Sequence, residues 1–527
     1  MTSKNSLWKY EKYFFLLIVF ISLLPILSSK FFPTIDGPAH LHNANLLKHI
    51  WFHGNTNLVQ FFDINKELNS NLVNHIWFAV AGLFFPPYLV EKSILVFYVV
   101  ALPYSFRFLI KNISISENSA KTASYLIFPF IYSFPFCIGF FNFCMGLPII
   151  FWIVGLWLKN ENKQNIKIII ALTLLTTLLY FTHVLNFLLL GLIIFFLILK
   201  EIIEKRKEYF GLRHFIRPIC VFLPGLLLFF LFMFNNNKFE HDPPRYLEND
   251  KLKEQIVELA PIITLNKENE ITFTKIVFYS ICFLALLIVI NNIRKRKEAN
   301  TKNSLFWFAL SIIVLILYFV TPDWISSGGY ISIRLALFFF LMILIWIGSS
   351  GLPPIQLLIP TIAIVITHAF FMNYHNNEIK RLSEDAAEAT SAEFMMEENT
   401  VLLPLNYSKN WLHINYGSYV VTEKAIVNLD NYEATKPHFP LMWKKGESVY
   451  DIMEHYGDRY PPCTDIEKYE KMTKHKIDYI SRWCFYGDNN DSCSLETSKI
   501  LAAEFDLVYD SPRKRLQLFR RKTKTHP

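Results

Sequence analysis

YFFLLIVFISLLPIL (13–27), followed almost at once by FFPTIDGPAHLHNANLLKHIW (31–51), decides how this chain is built. The first run carries no charge and, continued to about residue 31, reaches the roughly 20 residues that cross the hydrocarbon of a bilayer. It is longer than the apolar core of a secretory signal and lacks a small-x-small cleavage site, so it reads as a retained membrane span. The second run brings a carboxylate, three histidines and two asparagines to the boundary where that span ends.

The same pattern of apolar runs extends over most of the 527 residues. The chain is 53% hydrophobic and only 18% charged, with a mean hydropathy of +0.29, where a soluble domain is about a quarter charged. The net charge of +8 sits in short bursts between apolar runs, where it orients helices in a membrane. That placement argues against nucleic acid as a partner.

Lys and Arg cluster at 4–12, 107–121, 159–167, 200–217 and 294–302, which become cytoplasmic loops. The connections at 138–143, 182–186 and 322–333 contain neither residue and fall outside. Spans are expected near 13–31, 90–110, 122–138, 142–158, 166–182, 184–200, 217–234, 272–293, 305–321, 333–349 and 355–373. This predicts a polytopic α-helical membrane protein of about eleven helices, N-terminus inside and C-terminus outside. NHIWFAVAGLFF (74–85) is short, ends at Pro86-Pro87 and would invert the charge rule if it crossed, so it is expected to lie on the outer surface. The first outer loop then runs from 32 to 89. A second outer loop, near 235–271, carries HDPPRY (241–246) and Arg245.

From Asn373 the composition becomes that of a soluble domain. The expected division is a membrane module over 1–375 and a periplasmic α/β domain over 376–527. TVLLPL (400–405), AIVNL (425–429) and DYISRW (478–483) read as strands. SVYDIMEHYG and LETSKILAAEF read as amphipathic helices, and FDLVYDSPRKRLQLFRR as two strands about an Asp-Ser-Pro turn. Cys137, Cys144, Cys220 and Cys282 fall in apolar runs as small hydrophobes. Cys463, Cys484 and Cys493 fall in the soluble part, where three thiols allow at most one pair.

Four stretches carry candidate chemistry. Asp36 precedes Gly37-Pro38 and admits two readings: a helix N-cap, or a carboxylate acting as general base, or holding a metal, with His40 one turn away. Asp36, His40 and His42 suggest a partial metal site, although two residues' separation puts the histidines on different faces. GFFNFCMG (139–146) places Asn142 in a short outer turn, between glycines that permit close helix approach. YFTHVLNF (180–187) places His183 and Asn186 at span ends, as an interhelical bond or as part of a site. Arg334, in TPDWISSGGYISIRLALFFF (321–340), opens a span on the outer side, where an arginine suits a lipid phosphate or snorkels to headgroups. With His183, Asn142 and Arg245 it makes up the candidate lipid-phosphate and substrate set. The aromatic stretches WLHINYGSYVV and NLDNYEATKPHFPLMW read mostly as core. No P-loop, GxSxG or closed metal cage is found, which excludes an ATP-driven transporter built on this chain alone.

Together the span, the long outer loop with its acid, the surface helix and the outer C-terminal domain resemble the GT-C superfamily of membrane glycosyltransferases. The resemblance implies transfer of a sugar from a polyprenyl-phosphate carrier to a periplasmic glycan, lipid or protein, in the bacterial inner membrane and by an inverting mechanism. By this likeness Asp36 matches the catalytic acid of the first loop, His40 a variant partner, and Arg334, by position, the basic residue on the carrier phosphate. The departures are a lone Asp36 where many relatives have an acidic pair, and Asn142 where many have a second acid. A divalent metal is thus an open cofactor assignment. A transporter or lipid-handling protein is the alternative, disfavoured by the scarcity of charge inside the spans, and a membrane scaffold is a third reading.

Overall fold

A computed structural model describes residues 6–161, 165–204, 213–236, 243–294, 299–325, 328–453, 462, 465–486 and 492–523. Two compact units emerge. One comprises Met1–Leu27 and Leu95–Glu378; the other joins Ser28–Ile94 to Ile379–Pro527. The first outer loop therefore belongs with the C-terminal residues, a grouping that cuts across a sequence boundary at 375.

Among the described residues nine helices are long and apolar enough to cross a membrane: Tyr10–Leu27, Pro87–Ile113, Phe141–Lys159, Val184–Glu204, Ile216–Asn235, Lys267–Arg294, Asn303–Val320, Ile331–Ser349 and Pro354–Met395. The chain is a multi-pass membrane protein. Ile166–Thr182 is apolar but one residue short of that length. The span expected at 122–138 is not one helix. It is divided into the end of Glu117–Ala123, a 3-10 turn over Ser124–Phe130 and a single turn Phe134–Cys137. Pro129 and Pro135 account for this, because each removes an amide donor that a continuous helix needs.

Within this unit the two glycines of 139–146 have different jobs. Gly139 takes φ 96°, open to glycine without strain. Gly146 packs so closely on another helix that a Cβ there would lie 1.8 Å from Asn186 Nδ2. Asn186 Nδ2 donates to the Phe143 carbonyl at 2.6 Å, so Asn186 serves as an interhelical bond. The expected scarcity of charge in the spans needs correction, since Glu91 in Pro87–Ile113 and Glu270 in Lys267–Arg294 are both fully buried. The Glu270 carboxylate accepts from the Thr264 and Leu265 amides at 2.5 and 3.1 Å, with His375 at 3.5 Å. Two backbone donors clamp it at the start of its helix, which gives the charge a structural occupation.

Among the described residues the strands all fall in the second unit: β1 (Phe62–Ile64), β2 (Val401–Asn406), β3 (Val427–Asn428), β4 (Leu441–Trp443), β5 (Tyr479–Trp483), β6 (Phe505–Asp510) and β7 (Leu516–Arg521). Five form a mixed sheet of order β3-β2-β5-β7-β6, with β2 parallel to β3 and β5 and the β6–β7 hairpin antiparallel. The expected strands at 400–405, 425–429 and 478–483 and the C-terminal hairpin are all present. Of the expected amphipathic helices, SVYDIMEHYG is helical over Val449–Ile452, with 454–457 outside the described residues, and Ser492–Glu504 is formed. β1 pairs antiparallel with β4, stitching the first outer loop to the C-terminal part.

A core of Phe31, Ala386, Leu402, Tyr416, Tyr419, Val421, Trp483 and Leu518 fills this unit. Much of WLHINYGSYVV is thus core, as its composition suggested. Cys484 is a free thiol; Cys463 and the Cys493 side chain lie outside the described residues.

Candidate active site in the first outer loop

The Gly37–His53 helix begins with Pro38, whose missing N–H costs nothing in a first turn. Its buried side carries polar groups, and the carbonyls of the segment just before β3 satisfy three of them. His42 Nδ1 meets the Val421 carbonyl at 2.8 Å, Asn45 donates to the Lys424 carbonyl at 2.9 Å, and His49 meets the Glu423 carbonyl at 3.1 Å. Burial lowers His42 to about 4, so it is neutral at physiological pH.

Asp36 stands where an N-cap stands, yet its side chain makes no capping bond. The Gly37 amide donates to Thr34 Oγ1 at 2.9 Å instead. The half-buried Asp36 carboxylate accepts from the Tyr432 hydroxyl at 2.7 Å and, more weakly, from Asn415 Nδ2 at 3.4 Å. Burial and the adjoining Asp36 and Glu433 carboxylates push the Tyr432 phenol well up, so it stays protonated and donates.

His40 lies one turn on, its amide bonded to the Asp36 carbonyl at 2.9 Å. Its ring engages Glu433 through Nδ1, which makes an ion pair with Oε1. His75, in the Val73–Ala81 helix, approaches Glu433 Oε2 with Nε2 at 3.0 Å. Asn43 donates to the same oxygen at 2.8 Å and exchanges amide bonds with Asn431 at 3.0 and 2.9 Å. Burial alone would raise Glu433. The His40 charge and the hydrogen bonds from His40 and His75 outweigh it and hold the carboxyl at about 2. For His75 burial prevails over Glu433 and lowers it.

The donor atoms of His40, His75 and Glu433 all lie within 4.8 Å of one another, and all three residues are buried. That set replaces Asp36, His40 and His42 as the residues able to hold a divalent ion, since His42 faces the Val421 carbonyl from a different side of its helix.

The stretch NLDNYE (428–433), directly after β3, supplies Asn431, Tyr432 and Glu433. Asp430, two residues before Tyr432, is raised to about 7 by burial, against the Tyr450 hydroxyl that donates to it at 2.7 Å. Ligand-binding residues gather beyond the carboxyl ends of parallel strands, and β3 is parallel to β2. In the sequence this stretch reads mostly as aromatic core, with some aromatics as a lid or acceptor platform over the first loop, and Tyr432, Glu433 and His75 are not singled out. The available signal was an acid and a histidine each set within an apolar or aromatic run.

In the other unit, Arg334 and His183 meet: Nη1 lies 3.3 Å from His183 Nε2. The guanidinium lies over the Phe140 ring at 4.1 Å and near Phe143 at 5.7 Å, and Phe143 also packs on His183. Asn142 is buried between these two phenylalanines in sequence. Arg245 is exposed and stacks over Trp324 at 5.9 Å, with which it forms a two-bond bridge.

No family model matches this chain, and no curated protein sequence matches it. Among solved structures the chain is similar in fold to ArnT from Cupriavidus metallidurans in the apo state. That likeness has a TM-score of 0.57 at 10% identity and covers 96% of this chain and 98% of that one. ArnT from the same organism bound to undecaprenyl phosphate aligns over 98% and 99% at 10% identity, with a TM-score of 0.41. The whole-chain likeness to the apo structure bears out the expected fold, a polytopic helical membrane protein with a C-terminal domain.

Proposed function

We propose that this protein is a membrane glycosyltransferase that moves a sugar from a polyprenyl-phosphate carrier to a periplasmic acceptor, with Asp36 as the general base. The observation that carries this reading is that Asp36, at the start of a helix, leaves capping to Thr34 and has its carboxyl group oriented by hydrogen bonds from Tyr432 and Asn415. A half-buried carboxylate oriented by a phenol and an amide suits abstraction of a proton from an acceptor hydroxyl or amine. The acceptor oxygen or nitrogen attacks the anomeric carbon, the bond to the carrier phosphate breaks, and the configuration inverts. Arg334, set beside His183 and the Phe140 face, is assigned to the carrier phosphate, whose charge grows as it leaves. The fold shared with apo ArnT over the whole chain supports this reading. Inner-membrane location with the 376–527 domain in the periplasm belongs to the same proposal.

The observations that favour the transporter reading are the buried Glu270–His375 pair and the fully buried Glu91, which accepts from the Tyr419 hydroxyl at 3.5 Å. The amide clamp on Glu270 explains its burial without a proton path. The experiment is transfer of labelled sugar from a panel of polyprenyl-phosphate donors by the purified protein in proteoliposomes. Label appearing on an acceptor from the native membrane supports the reading. Solute flux without transfer from any donor overturns it.

A further inference from the structure

Three side chains of metal-ligating type converge where the proposed base needs none of them as an acid or base. His40 and Asn43 come from the Gly37–His53 helix, His75 from the Val73–Ala81 helix, and Glu433 from the segment after β3. The two imidazoles address opposite oxygens of one carboxylate, His40 through Nδ1 and His75 through Nε2. Their rings stand nearly perpendicular, at 82°, with centroids 5.1 Å apart, and Phe439 walls both at 6.0 and 5.3 Å. His75 and Glu433 are 0% exposed and His40 5%. Asn43 holds the carboxylate from behind and is itself held by Asn431.

We propose that His40, His75 and Glu433 bind one divalent transition-metal ion of the zinc class, and that this ion fixes the Asp36–Tyr432 pair. Two imidazoles and a carboxylate are a donor set that favours zinc and its neighbours over magnesium or calcium, which prefer oxygen alone. Three ligands around zinc at about 2.1 Å stand roughly 3.4 Å apart. The donor atoms here lie within 4.8 Å of one another, so small side-chain rotations close them on a single ion. Three protein ligands leave a further position for water.

The positioning follows from chain connectivity. His40 is one helical turn from Asp36, joined to it by the backbone bond, and Glu433 is the residue after Tyr432. An ion gripping His40 and Glu433 thus fixes both partners of the 2.7 Å Tyr432–Asp36 bond from behind. The metal assignment stands apart from the transfer reading; only the positioning role rests on it.

The test uses the full chain in detergent, purified without a metal-chelate resin, dialysed against zinc and then against buffer, and assayed by elemental analysis. The expected result is one zinc per chain in wild type and in Asp36→Asn. Glu433→Gln and His75→Ala are expected to lose it. Asn43→Ala, which removes only the support, weakens affinity about 10–100-fold. His75→Cys guards against misfolding of the alanine variant: loaded with cobalt, it gains a thiolate-to-cobalt charge-transfer band absent from wild type. A wild-type protein that retains no zinc, cobalt or manganese overturns the site. So does a folded His75→Cys protein without that band, or a Glu433→Gln protein that keeps its zinc. A chain that binds zinc but transfers no sugar leaves the site standing and sinks the transfer reading alone.

Discussion

Replacing Asp36 by Asn separates the two occupations open to this residue, because the structure gives each a different size. Asn keeps the volume and is as good a cap as Asp. Here the cap is Thr34 in any case, so no capping energy is lost. What changes in the folded state is the 2.7 Å bond from Tyr432, which becomes neutral rather than charge-assisted. That difference is about 1 kcal/mol, less for a partly exposed pair. Thermal unfolding of Asp36→Asn is therefore expected within a few degrees of wild type. Turnover is expected to fall by about 10²–10⁴, the usual worth of a positioned base. By transition-state arithmetic this is about 2.7–5.4 kcal/mol, well above the structural term. Tyr432→Phe removes the orienting phenol while keeping the base, and about tenfold loss is expected from forfeiting a bond worth about 1.5 kcal/mol. In the double variant the losses do not multiply, because Tyr432 acts through Asp36. The assay is initial-rate transfer from a polyprenyl-phosphate sugar in proteoliposomes, with unfolding followed on the same samples. Wild-type turnover by Asp36→Asn, or full additivity in the double variant, refutes the reasoning.

Other outcomes follow from separate parts of the molecule. Arg334→Lys keeps the charge but loses the planar fork. Binding of the carrier phosphate, measured by titration calorimetry, is expected to weaken in both Arg334→Lys and Arg334→Ala, and unchanged affinity in the alanine variant removes Arg334 from the site. Asp430 is raised to about 7 when folded, against about 3.9 when unfolded. The folded state thus binds the extra proton between those values, and stability declines as pH rises through that window. Asp430→Asn is expected to flatten the decline and to melt higher than wild type at pH 8; an unaltered pH profile contradicts it. A cysteine placed at the exposed Lys471 is expected to react with an impermeant maleimide on intact spheroplasts, and labelling only after lysis reverses the proposed orientation.

Hydropathy made the membrane helices legible because lipid imposes one composition on every span. It failed at 122–138, where apolar content suffices but Pro129 and Pro135 interrupt the ladder. The β-sheet was legible strand by strand, since Leu402, Leu403 and Ile480 sit in short apolar runs bounded by polar turns. Its partnership with the first outer loop was not, since the β1–β4 pairing joins Phe62 to Trp443 across most of the chain. The site divides in the same way. Asp36 stood out by its place after the first span. Tyr432 and Glu433 are marked only by an acid within an aromatic run, and their contacts with Asp36, His40 and Asn43 appear only in the folded chain. Arg334 and His183 were each noticed alone, and their 3.3 Å approach needed the folded helices.

The discontinuous composition of the second unit sets a schedule for its biosynthesis. Residues 28–94 leave the ribosome early, and their partners from Ile379 onward follow only after about 280 further residues. At about 5–20 residues per second, that delay is roughly 15–60 seconds. Throughout it the 37–53 helix presents His42, Asn45 and His49 without the carbonyls of 421–424 that later receive them, and β1 is an open edge awaiting β4. An unpaired strand with a polar helix beside it, held at a membrane surface for that long, is a ready substrate for a protease or a holding chaperone. The first loop thus becomes a proofreading point for the whole chain: a nascent protein that stops short of residue 379 leaves it uncovered.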